Sequence, residues 1–224
     1  MNFKSGLDFE DFVFGRHSDG EEMKLRFSGQ QPDFDRDVMS LLRNNQGVRY
    51  PDTYVGEDFF CRLDWQLRFR GINTEGVTFL PTIGSMVDLR HYADGLIYLP
   101  AVPEFPITID LFLIDSEKIC QLREKWFEEF SGTYYTFFNF QSDLFRWKTG
   151  RVRWLSDAKK AHSEGFELDE PSDFREYTNA RRPENHFIWT PQDVNRHGRK
   201  FFARIFADYL VSKILHPEMT LMSH

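Results

Sequence analysis

An α+β fold is predicted: a largely antiparallel sheet of about five to seven strands, helices packed on one side of it, and a long C-terminal helix. Three observations carry this expectation. Residues 59–70 (FFCRLDWQLRFR) alternate apolar and polar side chains from Cys61 onward. Residues 107–115 (ITIDLFLID) are apolar on both faces, and residues 190–217 combine helical periodicity with start and stop signals.

Taken in order, residues 1–22 are acidic and aromatic with no clean period. They read as an N-terminal arm or packed edge segment, with Phe9 and Phe12 as candidate docking residues, ahead of one domain over 23–224. MKLRF (23–27) alternates as a short strand. QPDFDRDVMSLLRNNQG follows as a helix: Pro32 at its start, acids in its first turn, Phe34, Val38, Leu41 and Leu42 on one face, Gly47 past its end. In the 59–70 segment Phe59, Cys61, Leu63, Trp65, Leu67 and Phe69 fall on one side of a predicted strand, opposite Arg62, Asp64, Gln66, Arg68 and Arg70. GINTEG turns the chain into the strand VTFL.

MVDLRHY and LIYLP flank Asp94-Gly95, a turn pair that favours a hairpin because both positions need positive φ. ITIDLFLID is then a central buried strand, and SEKICQLREKWFEEF a helix whose stripe is Ile119, Leu122, Trp126 and Phe130. TYYTFFNF carries rings on both faces and reads as a further interior strand. Residues 144–155 admit two readings, a hairpin at Thr149-Gly150 or a helix, of which the helix is preferred. The six acids of 164–176 form a solvated loop, and HFIW is a last short strand. In the final helix Thr190 is the expected cap, Pro191 the first position, Asp193 a capping-box partner and Pro217 the stop.

Bulk composition restricts function. The net charge of −7 argues against a general nucleic-acid binder, which needs a basic footprint. Cys61 and Cys120 are too few for a disulfide framework and lack metal-ligand spacing, so a reduced, cytoplasmic protein is expected. No segment has the length or apolarity of a signal peptide or membrane span. Phenylalanine is the exception to an ordinary composition, at 24 of 224 residues. Rings in such number build a core, or mark an interface where they are exposed.

Few constellations point to chemistry. Asp88, His91 and Asp94 would converge on a helix but are dispersed by the hairpin reading, and DFDRD (33–37) lacks the glycine and glutamate a calcium loop requires. Asp110 and Asp115, inside and at the end of a buried strand, are the candidate catalytic and metal-holding pair of a Mg²⁺-dependent phosphodiesterase or nuclease. Read as a hairpin, 144–155 gathers Arg146, Lys148, Arg151 and Arg153 on one face beside aromatic rings, a platform for single-stranded nucleic acid. Read as a helix, it disperses them. Arg196, Arg199, Lys200 and Arg204 form a cationic stripe on the last helix that an anionic partner or internal acids would neutralise. No cofactor is expected. The reading preferred from sequence is a non-enzymatic domain that binds another protein or itself. An immunity or inhibitor protein, or a structural or assembly component of a phage or secretion machine, would fit it.

Overall fold

The computed structural model describes residues 3–15, 33–113, 116–129, 134–171 and 185–216, with the backbone alone at 116–118, 120, 126, 127, 129 and 134–139. Helices α1 (Gly6–Phe14), α2 (Phe34–Asn44) and α3 (Tyr54–Phe69) precede strand β1 (Thr78–Pro81). Helix α4 (Met86–His91), strands β2 (Gly95–Tyr98) and β3 (Ile107–Leu111), helices α5 (Ser116–Glu129) and α6 (Tyr134–Ser163), strand β4 (His186–Trp189) and helix α7 (Arg196–Leu215) complete the order. The chain divides into two compact units, Met1–Leu113 with Trp189–His224, and Ile114–Ile188.

The mixed helix-and-sheet class and the long C-terminal helix are as expected. The sheet is not: among the described residues it has four strands in the order β1-β2-β3-β4 and is mixed rather than antiparallel. β1 pairs antiparallel with β2 (Phe79 opposite Ile97) and β2 with β3 (Leu96 opposite Thr108). Every residue of β3 is buried, as its apolar run predicts. MKLRF lies outside the described residues.

The strand expected at 59–70 is helical instead, residues 59–69 belonging to α3 and Arg70 capping it. A period-2 apolar series contains a period-4 series, and here the latter governs. Val55, Phe59, Leu63 and Leu67 are buried together with Gly56 and Phe60, while Cys61, Trp65 and Phe69 are left in solvent. Upstream, Thr53 caps the helix by accepting the Gly56 N–H at 3.0 Å. Its hydroxyl donates to the Val13 carbonyl at 2.6 Å, tying α1 to the start of α3.

The hairpin at Asp94-Gly95 is also corrected. MVDLRH is helical, with Ser85 accepting the Val87 and Asp88 N–H groups and Asp88 reaching back to the Gly84 N–H at 2.8 Å. Tyr92 ends the helix in the left-handed region at φ 53°. Asp94 is drawn into the sheet instead of a turn. Its N–H donates to Ile109 O, its carbonyl accepts from Thr82 N, and its carboxylate accepts the Leu111 N–H at 2.6 Å.

Residues 134–140 of TYYTFFNF open α6 rather than forming a strand, and α6 continues unbroken through Thr149-Gly150, so 144–155 is helical. Thr149 Oγ1 donates to the Phe145 carbonyl at 2.9 Å, which closes a helical turn where the hairpin would have reversed the chain. In the unit Ile114–Ile188, Gln141 is buried and its Oε1 accepts the Ile188 N–H at 2.6 Å, with Phe145 packed on His186 at 4.1 Å. The last helix begins five residues later than expected. Thr190 donates through N–H and hydroxyl to the Asp193 carboxylate at 3.0 and 2.6 Å, closing a turn, and Asn195 is the true cap, accepting from His197 and Gly198. A Cβ on Gly198 would lie 1.9 Å from the Asp193 carbonyl oxygen, so this turn folds onto the helix only over a glycine.

The core of the larger unit is where much of the phenylalanine goes. Phe59 meets Phe79 at 5.2 Å, Trp189 at 4.8 Å and Phe206 at 5.9 Å, all edge-on, and Phe202 closes the cluster against Trp189 and Phe206. Beside it Val38, Leu41, Leu80, Val87, Ala93 and Leu96 form a second apolar group under α2. Gly95 admits the Phe14 ring: a Cβ there would stand 2.5 Å from Phe14 Cζ. Gly95→Ala is therefore expected to cost about 1–3 kcal/mol by overpacking, read from the denaturation midpoint.

Candidate interaction surface

Helix α3 presents two faces with opposite fates. The inner face supplies Phe59, Leu63 and Leu67 to the core. The outer face carries Tyr54, Cys61, Trp65 and Phe69, which share one side of a 3.6-residue helix. Trp65 and Phe69 stand one turn apart and stack on each other, centroids 5.3 Å and planes 14° apart, while 59% and 75% exposed. Tyr54, at the head of the same face, is 74% exposed. Large rings held in contact with water and rimmed by charge are the usual composition of an interface rather than of an idle surface.

Charge pairs hold α3 in place. Asp58 accepts from Arg62 Nε at 2.9 Å and from Arg199 Nε at 2.6 Å. Arg199 is only 5% exposed, donates also to the Val194 carbonyl, and lies over the Tyr54 ring at 5.5 Å. At the other end Arg70 bonds Asp208 of α7. The hydrogen bonds from Arg62, then those from Arg199 and the positive charge of both, hold the Asp58 carboxyl below its ordinary value of 3.8 against the opposing effect of burial. The same contact raises the Arg62 guanidinium above its ordinary value. A carboxylate depressed in the folded state stabilises fully above its unfolded pKa and loses that contribution as pH falls through the folded value. Acid denaturation of the native chain is thus expected to steepen below about pH 4, and to steepen less in Asp58→Ala.

Phe9 is buried and belongs to the core, while Phe12 is partly exposed and within 5.3 Å of Phe3. The cationic stripe of α7 does not act as a unit. Arg199 is buried on Asp58 and Arg204 lies 3.9 Å from Asp208, while Arg196 and Lys200 are exposed. On α6 the four cations divide between two sides of the helix, Arg146 with Arg153 and Lys148 with Arg151. Arg146 stands 4.0 Å from Asp143, and Arg151 lies over Trp147 at 5.5 Å. The basic platform of the hairpin reading is not assembled. Asp110 is 2% exposed within β3, and Asp115 lies outside the described residues. His91 turns to Asp37 of α2 at 3.1 Å, alongside Arg90 at 3.4 Å, and among the described residues no three His, Cys, Asp or Glu side chains group as a metal site.

The outer aromatic face of α3 is the feature sequence reasoning missed, because the strand reading put Trp65 and Phe69 on the same side as Phe59. The signal was available in the acid-before-base pairs Asp58–Arg62 and Asp64–Arg68, both at helical i,i+4 spacing and both formed at 2.8 Å. An open cleft of about 520 Å³ flanks this helix, lined by Arg49, Arg68 and residues 72–76. Asp64 lies between its two guanidinium groups, 3.9 Å from Arg49 and 2.8 Å from Arg68. Among the described residues no helix is long and apolar enough to cross a membrane. Comparison with protein-family models, with curated proteins and with solved structures found no match to this chain.

Proposed function

We propose that the chain is a non-enzymatic protein-interaction domain whose docking face is the solvent side of α3. The observation that carries this reading is the stacked Trp65–Phe69 pair, kept in water by a helix whose opposite side is firmly anchored. Rings of this size preordered on a rigid element lose little entropy on binding, and aromatic anchors of this kind dominate interface energies. The anchoring by Asp58, Arg62 and Arg199 fits the same role, because it fixes the helix without using the exposed rings. An immunity or inhibitor protein, or an assembly component of a phage or secretion machine, is the kind of chain this describes.

The test is the mass of the native assembly in extract of the source cells, measured for the natural chain and for Trp65→Glu. The natural chain is expected in an assembly heavier than its own mass, and Trp65→Glu in its own mass alone, with the same circular dichroism. An assembly mass that is unchanged in Trp65→Glu would sink the reading.

A further inference from the structure

We infer that the outer face of α3 is self-complementary and takes a second copy of this chain, α3 against α3 in antiparallel orientation; this rests on the reading of that face as a docking surface. The helical period places Tyr54, Cys61 and Trp65 at the centre of the face. Glu57 and Arg68 fall together on one flank, one near each end of the helix, and both are exposed.

That arrangement selects both partner and orientation. Two helices related by a two-fold axis and running in opposite directions keep like flanks on the same side, so Glu57 of each copy lies opposite Arg68 of the other. Cys61 of one copy then faces Trp65 of the other, and the interface is apolar at its centre with an ion pair at each end. A parallel pair of helices makes neither ion pair. The charges on the opposite flank are already engaged internally, Asp58 by Arg62 and Arg199, so they impose no competing register. Arg68 also pairs with Asp64 of its own helix at 2.8 Å, but at 63% exposure that pair is weak and can be shared.

The experiment is sedimentation equilibrium of the purified full chain in reductant, from about 1 µM to about 200 µM, a span that brackets micromolar association. The natural chain is expected to pass from monomer to dimer. Trp65→Glu, at an exposed position, raises the dissociation constant roughly thirtyfold or more, the effect of removing an interface anchor. Glu57→Lys and Arg68→Glu each weaken the dimer, and their equimolar mixture recovers it, because only the mixed dimer restores both opposite-charge pairs. A natural chain that stays monomeric throughout overturns self-association, as does a mixture no tighter than its components. Neither result touches the docking reading itself, which fails separately if the native assembly ignores Trp65→Glu.

Discussion

Phe59→Ala is expected to destabilise the chain by about 3–5 kcal/mol, the cost of emptying a ring-sized site that cannot collapse. The ring is fully buried and edge-on to Phe79, Trp189 and Phe206, which come from two strands and a second helix. Three elements thus lose their common contact at once. The paired control is Phe69→Ala, ten residues on, where removal of an exposed ring is expected to change stability by less than about 0.5 kcal/mol. Denaturant unfolding of the two variants separates the helix from a strand, in which both rings would lie on one face.

Asp58→Ala is expected to cost a comparable amount, about 3–5 kcal/mol, for a different reason. The loss is not the pair's attraction but the Arg199 charge left behind at 5% exposure, with a carbonyl acceptor and the Tyr54 ring as its remaining contacts among the described residues. Replacing both partners, Asp58→Ala with Arg199→Met, is expected to recover most of that stability, since no buried charge then remains. Thermal or denaturant unfolding of the single and double variants measures the coupling. Equal destabilisation in the double variant and the sum of the singles would show the two residues to be independent.

Legibility in the sequence followed the strength of local signals. Helix α2 was readable because acids, an apolar face and a terminal glycine agree, and Asp33 indeed caps it by accepting the Arg36 N–H. Strand β3 was readable because only burial on both faces explains ITIDL. The failures arose where one pattern fits two periods. Residues 59–69 satisfy period 2 and period 4 together, and the choice was settled by Thr53 and by the spacing of acid and base along the segment.

Asp94-Gly95 resembles a turn in isolation, yet Asp94 is held by three hydrogen bonds, two through its backbone to Thr82 and Ile109 and one through its carboxylate to Leu111. The extra turn at 190–194 depends on the Gly198 backbone approaching Asp193, a tertiary fact without a local marker. For the candidate surface the residue types were visible but their side of the helix was not. Once α3 is helical, the same letters that suggested a half-wet strand become one buried face and one aromatic face.

Carbene footprinting of the isolated chain and of its native assembly tests the two faces of α3 together. Cys61, Trp65 and Phe69 are predicted to label strongly in the isolated chain and to be protected in the assembly, while Phe59, Leu63 and Leu67 stay unlabelled in both. Labelling of Trp65 and Phe69 that is the same in both states, or labelling at Phe59 and Leu63, would contradict this division of α3.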